Sequence, residues 1–517
     1  MPSRFDAGPR SRRWIADGGP LYEFVEPRLG IDMRALAVFR MALGVLLLAD
    51  LLALRLPGLR TFYSDAGVFP RSALAETYPA FETWSLHALS GDPWFQGLLF
   101  AVAGAFAALL LVGYRTRLSV AGSLVLFASL LARNPLLVNG GDTILLTFLV
   151  LGLVLPLGTR WSLDARQRSR RPEGSGSIDT YAVSLATATI LVHFGCIYGT
   201  NAVRKFQSDP WTSGVAVRQI FHLEQYLTPL GSALAEFAVL LIAINWGWTA
   251  LLSGSVLLLV FTGRARIALV AGFVTAHLGM AATMRLGVFP FVMIAGLLLF
   301  LPPSCWDRLE RVLAATELGQ RAGSGLPIGD GGGPDGDPSE SRRRSSPSEG
   351  VTVSRCVRAG GTVLVACFLV SSVLWQIAAL GVGTPLADSL AQDGEDGGEI
   401  GSWSFFAPNP PDAYSWYTVE ATLESGETIG VFPRGRDGGR LDRPPDGTTA
   451  YPSTLWMRYG TDVRYADDTY YEPAAEFSCA HVDRAVDRVT ISHVEQSVGP
   501  SGPTGEPDRQ ERIEYAC

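Results

Sequence analysis

The chain has 42 basic residues, of which 41 are arginine and one is a lysine, Lys205. That lysine differs from the arginines in the property that matters for proton chemistry. An amine that is desolvated or set beside another cation gives up its proton, whereas a guanidinium effectively never does. Arg204 directly precedes Lys205, so one reading of the pair is a proton-accepting amine. The other is a helix-end lysine that runs its stem out to the headgroups. A genome that has drifted to arginine accounts for the count but not for the position. Arg40, Asp50, His193, Tyr198 and His277 all fall in or beside strongly apolar sequence. Ionisable groups there are expensive and mark function by default. The structural alternatives are an interhelical clamp for Arg40 and Asp50 and a hydrogen-bonded core histidine for His277. Arg40 and Asp50 are about 15 Å apart along one helix at 1.5 Å per residue, too far to pair, so each calls for a partner on another helix.

These groups need a scaffold, and the composition says which kind. Of 517 residues 48% are apolar and only 18% charged, with a mean hydropathy of +0.22. A soluble domain carries about 25% charged residues. The deficit sits in long uncharged runs, which makes this a polytopic membrane protein of helical class in contact with the lipid bilayer. It excludes a secreted disulfide scaffold, a nucleic-acid binder and a disordered tail protein. Runs long enough to cross a hydrocarbon core of ~30 Å fall at 34–56, 94–113, 117–133, 143–158, 179–200, 266–284, 286–302 and 361–383. A further stretch, 232–262, reads as one crossing preceded by a half-helix or re-entrant piece, with Asn245, Trp246, Gly247 and Trp248 interrupting it.

The positive-inside rule orients these segments. Arg10, Arg12 and Arg13 precede the first run, and Arg115 and Arg117 fill the second loop. Arg166, Arg168, Arg170 and Arg171 lie in the fourth loop, Arg264 and Arg266 in the sixth, and Arg342, Arg343 and Arg344 in the eighth. The pattern closes with nine crossings in the cell membrane, residues 1–33 cytoplasmic and the C-terminal domain outside. The first 33 residues show no removable signal peptide.

The chain therefore divides into a cytoplasmic segment 1–33, a transmembrane domain 34–302, a linker 303–360, a last helix 361–383 and an acidic extracytoplasmic domain 384–517. That last part holds 24 acidic residues against 10 arginines, so it carries −14 of a net charge of −7. Glycine, serine, proline and aspartate dominate the linker and predict cytoplasmic disorder. TVEATL, ETIGVF, VRYA and RVTISHVEQ predict a small, mostly β domain, opened by SWSFFAPNPPDAYSWY as an aromatic interfacial collar. Cys196 and Cys367 lie in spans, and Cys305 and Cys356 on the cytoplasmic side. Cys479 and Cys517 are the exported pair, either disulfide-bonded or free. No cysteine–histidine spacing suggests a metal, and neither a nucleotide-binding loop nor a nucleophile triad is present.

Depth arithmetic places Lys205, Tyr198, His277 and Asp50 in the outer half of the membrane, with Arg133 and Asp142 in an outer loop. A polar site opening outward follows from depth, while lateral convergence does not follow from spacing.

From about 31 to 303 the chain resembles the HTTM domain, the membrane domain of vitamin K-dependent γ-glutamyl carboxylases. The matching pieces are Phe39-Arg40, DLLALR at 50–55, FYSDAGVFPR at 62–71, NPLLVNGGDTILL at 134–146 and SLDAR at 162–166. The most specific are IYGTNAVRKFQSDPWTSG at 197–214, which contains Trp211, and AHLGMAATMRLGVFPF at 276–291. The resemblance implies that Lys205 is the base and that His277 assists it by hydrogen bonding; Arg40, Asp50, Asp142, Tyr198, Arg204 and Trp211 are the residues expected to support the polar site. It implies that neutral Lys205 takes a proton from a reduced isoprenoid quinone. Reaction with O₂ then yields a strong base that removes a γ-proton from a glutamate of an exported protein, and CO₂ traps the carbanion. A dry site shields such a base.

Three functions compete. One is a quinol-dependent carboxylase with a lysine base at the outer membrane face. The second is a non-enzymatic scaffold or assembly partner presenting its acidic exported domain. The third is a transporter, to which the broken stretch 232–262 and Glu236 point.

Overall fold

The computed structural model describes residues 20–170, 180–315, 406–432, 451–463 and 468–517, with 361, 366, 367 and 371. The segment 1–19, the linker from 316 onward, Cys356, most of the helix expected at 361–383, and 384–405 lie outside the described residues.

Among the described residues four helices are long and apolar enough to cross a membrane: Met33–Tyr63, Pro93–Val112, Thr116–Arg133 and Gly263–Thr283. Two bent pairs raise the number to six if each is one span: Pro229–Ala235 with Ala238–Ser253, and Phe289–Phe300 with Pro303–Ala315. In chain order the main helices are α1 (Pro20–Leu29), α2 (Met33–Ala49), α3 (Pro93–Val112), α4 (Thr116–Arg133), α5 (Gly140–Gly152), α6 (Leu185–Phe206), α7 (Ala238–Ser253), α8 (Gly263–Thr283), α9 (Phe289–Leu297) and α10 (Pro303–Ala315).

Helix packing in a lipid-like setting depends on close approach rather than on expulsion of water. Gly44 of α2 meets α3 so tightly that a Cβ there would lie 2.8 Å from the backbone of Leu111. Around this contact Phe39, Leu43, Phe148, Phe194 and Phe273 are buried in one cluster. Helix α2 continues as a π-turn at Asp50–Arg55 and a last stretch at Leu59–Tyr63.

Two expectations need correction here. The break in 232–262 falls at Glu236–Phe237, where the chain bends by 106°, and not at Asn245–Trp248. Asn245 is instead a fully buried part of α7, with its amide donating to the Trp211 carbonyl at 3.1 Å and accepting from the Val217 amide at 3.3 Å. A polar side chain satisfied in this way does not interrupt a helix. Residues 303–315 are the amphipathic helix α10 and not linker. Trp306 is buried, and Arg34 donates to Asp307 at 2.7 Å and Glu310 at 2.9 Å. The compositional bias of the linker begins beyond them.

The C-terminal domain is an antiparallel sheet of β1 (Ala413–Leu423), β2 (Thr428–Phe432), β3 (Val486–Gly499), β4 (Gly502–Pro503) and β5 (Asp508–Ala516), with β2, β1, β3 and β5 side by side and β4 on the end of β3. Helices α11 (Thr454–Val463) and α12 (Asp468–Ala480) complete it. Val463, expected in a strand, ends α11. Leu455, Tyr459 and Val463 recur every fourth residue and are buried together, which is helical spacing. Tyr417, Val419 and Ala421 of β1 alternate onto the same cluster. That cluster also contains Phe62, Tyr63, Phe69 and Leu137 of the membrane domain, so the two domains share apolar packing.

Candidate functional site

Lys205 lies in the last turn of α6, a helix whose start is fixed by a capping box between Ser184 and Thr187. Its side chain is 1% exposed. The amine sits 3.5 Å from the centroid of the Trp211 ring and donates to the carbonyl oxygen of Phe406 at 3.3 Å. Trp211 Nε1 donates to the same oxygen at 2.8 Å. Two more bonds pin this C-terminal segment down: Ser208 to Asn409 Oδ1 at 2.8 Å, and Gln219 to the Pro411 carbonyl at 2.9 Å. The segment expected as an aromatic collar is thus, from Phe406 to Pro411, a cover over the lysine. Phe406 itself holds φ 53°, a left-handed conformation rare for a bulky residue.

His277 of α8 is 1% exposed, and its Nδ1–H donates to the Phe273 carbonyl at 2.8 Å. In the neutral ring this leaves Nε2 as the acceptor. The imidazole lies among Trp248, Tyr198 and Phe289, with ring centroids at 5.7, 6.0 and 6.2 Å. Tyr198 stacks on Phe273 at 4.4 Å, and its hydroxyl is buried without a hydrogen-bond partner among the described residues. Leaving such a group unsatisfied costs about 1–3 kcal/mol, so it is a feature to be explained.

Tyr198 and Lys205 are two turns apart on α6, about 10 Å along the axis and on one face. Trp248 and Phe289, which touch His277, and Trp211 and Phe406, which touch Lys205, border the same apolar cluster. Each candidate thus touches residues that border one apolar cluster.

Asp50 and Asp142 belong elsewhere. Asp50 does not take its partner from another helix. The π-turn places residues i and i+5 over one another, and Arg55 Nε donates to Asp50 Oδ2 at 2.5 Å. Arg55 also donates to the Tyr63 hydroxyl at 2.8 Å and to Asp142 Oδ1 at 2.9 Å. Asp142 Oδ2 accepts from Arg458 of α11 at 3.1 Å and from the Asn139 amide at 3.1 Å, which closes a capping box at the start of α5. Two carboxylates and two guanidiniums thus form a buried network in which each charge is matched, the condition under which buried ions are tolerated.

Arg40 is separate from both groups. Its guanidinium is fully buried and donates to the backbone carbonyls of Trp161 at 2.8 Å and of Leu157 and Arg160 at 3.3 Å each. It ties the loop between α5 and α6 to the middle of α2. Arg204 is half-buried beside Lys205, and His193 is buried one helical stretch earlier. Cys479 and Cys517 form a disulfide with Cα atoms 5.7 Å apart.

A cavity of about 210 Å³ lies between the two groups, lined by Asn139, Tyr226, Arg285, Phe289, Arg458 and Asp462 among others. Phe289 connects it to His277, and Arg458 to Asp142. Arg458 Nη2 is buried there without a hydrogen-bond partner among the described residues. Sequence reasoning missed Arg55, Phe406 and Arg458. The quoted piece DLLALR already contained Arg55 at the π spacing, while nothing local marks the other two.

A model of the HTTM domain matches residues 29–306, which is 278 of the 517 residues and just over half of the chain. Neither a curated protein nor a solved structure matches.

Proposed function

The chain belongs to the HTTM domain family, and on that premise we propose that it is a quinol-dependent carboxylase of the membrane, with Lys205 as its proton acceptor. In this reading nine crossings put the N-terminus in the cytoplasm and the C-terminal domain outside. The observation that supports it most is the setting of Lys205: an almost fully buried amine held on the Trp211 face under the Phe406 carbonyl, at the edge of the cluster that also borders His277.

The residues fit a reduced isoprenoid quinone. The Tyr198 hydroxyl lacks a partner among the described residues, and Trp248, Phe273 and Phe289 offer flat apolar faces for a ring. When bound, such a group supplies with O₂ a base strong enough to take a γ-proton from glutamate, leaving CO₂ to trap the carbanion. The chain's own residues do the rest. Lys205 Nζ takes up the proton, and Trp211 with Phe406 fixes where that nitrogen stands. His277 Nε2 and the Tyr198 hydroxyl orient the ring oxygens by hydrogen bonding. The aromatic core keeps water from the reacting atoms. Arg285 and Arg458, in the cavity behind Phe289, orient the acid side chain of an exported glutamate-containing protein.

The test is incorporation of labelled CO₂ into protein by membranes containing the full chain and supplied with a reduced naphthoquinone. Incorporation by wild type and none by Lys205→Ala is expected. No incorporation by wild type with several quinols overturns the reading.

One observation favours the second reading, a scaffold that presents its acidic domain. The Asp50–Arg55–Asp142–Arg458 network and the shared apolar cluster hold the C-terminal domain on the membrane domain without any need of Lys205. A scaffold requires Lys205→Arg to be silent and deletion of 384–517 to abolish function.

A further inference from the structure

A second cavity, of about 450 Å³, lies at the Arg40 end of the membrane domain, remote from Lys205 in the fold. The α3–α4 turn, the loop after α5 and the short helix Leu163–Ser169 enclose it. Three arginines line it: Arg115, Arg117 and Arg168. None has a carboxylate within ion-pair distance among the described residues.

The acid in the lining, Asp164, is already engaged. Its oxygens accept from the Arg115 amide at 2.8 Å, the Thr116 amide at 2.8 Å and the Thr116 hydroxyl at 2.7 Å. Burial pushes this carboxyl up, but those hydrogen bonds outweigh it and hold it below the usual range, so it stays ionised and bound to them. Arg168 donates to the Gly158 carbonyl, which draws its guanidinium across the loop. The rest of the wall is mostly apolar, with Leu118, Leu155, Pro156 and Leu157 beside Thr116 and Thr159. Leu118 and neighbouring Val112 are 54% and 47% exposed, as side chains facing acyl chains are. Arg40, by holding the Leu157 and Arg160 carbonyls, keeps the loop in place whether or not anything is bound.

A pocket with a cationic rim and an aliphatic wall, at the level where apolar helix flanks end, has the chemistry of a lipid headgroup site. Its volume is within the range of small-molecule sites and exceeds what a bare phosphate fills. We propose that it binds the phosphodiester of an anionic phospholipid, with Arg115, Arg117 and Arg168 on the phosphate and the glycerol against Leu118, Leu155 and Leu157. A zwitterionic headgroup brings an ammonium into a rim that already has excess positive charge.

Native mass spectrometry of the full chain in detergent, titrated with phosphatidylglycerol, phosphatidylcholine or inorganic phosphate, tests this. Phosphatidylglycerol is expected to bind at least about tenfold more tightly than phosphatidylcholine. The variant R115Q/R117Q/R168Q is expected to erase that preference, and R117Q alone, should the triple variant misfold, to reduce it. Equal binding of the two lipids, or an unchanged preference in these variants, overturns the proposal. Displacement of phosphatidylglycerol by inorganic phosphate at equal concentration also overturns it, in favour of a soluble-anion site.

Discussion

Arg458 and Asp142 are 316 positions apart in the chain and 3.1 Å apart in space. The contact crosses from the C-terminal domain to the start of α5, and both side chains are buried. Removing Arg458 leaves Asp142 with Arg55 as its single cation, shared with Asp50. Breaking a buried pair from one side costs about 3–5 kcal/mol. Arg458→Ala is therefore expected to lower the melting temperature of the full chain sharply. Arg458→Met combined with Asp142→Asn is expected to recover much of the loss. An unaltered melting temperature in Arg458→Ala shows that the contact does not hold the domains together.

Lys205 and an arginine differ in whether the side chain can be neutral, not in whether it can be charged. Lys205→Arg is expected to insert and fold but to incorporate no labelled CO₂, like Lys205→Ala. An active arginine variant rules out proton uptake at this position.

The hydroxyl of Tyr198 separates stability from activity. Tyr198→Phe deletes a buried group that has no partner among the described residues, so stability should hold or rise by about 1 kcal/mol. Activity should fall by about tenfold if the hydroxyl bonds a ring oxygen. A variant as active as wild type takes Tyr198 out of the site.

Acid should loosen the loop that precedes α3. Burial, then the nearby Arg133 and Arg55 guanidiniums, pushes the His87 imidazole down to about 3. The unfolded chain titrates there near 6.5, so between those values it binds more protons than the folded form. Stability therefore rises with pH across that window and is lost on acidification. His87→Gln should flatten the pH dependence of the melting temperature between about pH 6.5 and 4, and a curve unchanged from wild type contradicts the assignment.

The Cys479–Cys517 bridge closes 38 residues between α12 and the end of β5. Loop-closure entropy for that length gives about 4 kcal/mol. Cys479→Ser with Cys517→Ser, or reduction by dithiothreitol, should lower the melting temperature of the full chain, and equal stability before and after reduction refutes this.

What the sequence revealed and what it hid divide along physical lines. Helices α3, α4 and α8 were readable because an uninterrupted apolar run carries its own signal. The common neighbourhood of Tyr198 and His277 needed more than depth, since helix rotation is set by packing. The partner of Asp50 was hidden by a change of helical pitch: at 3.6 residues per turn Arg55 faces elsewhere, and only the π-turn aligns the two. The β segments of the C-terminal domain were legible by alternation, but VRYA misled because its first residue closes the amphipathic face of α11. Arg458 and Phe406 gave no local hint, for their roles exist only after distant parts of the chain have met.

Phe406 contributes its carbonyl from a segment a hundred residues beyond the last position of the matched family domain. A fragment truncated at 306 would carry every atom of α6 and α8, and the Trp211 ring, yet lose the Phe406 carbonyl from over the amine. Supplying residues 384–517 as a separate polypeptide should then restore that contact. The surroundings of Lys205 thus reach beyond the matched family domain, and a comparison confined to that domain would leave out the residue that covers the amine.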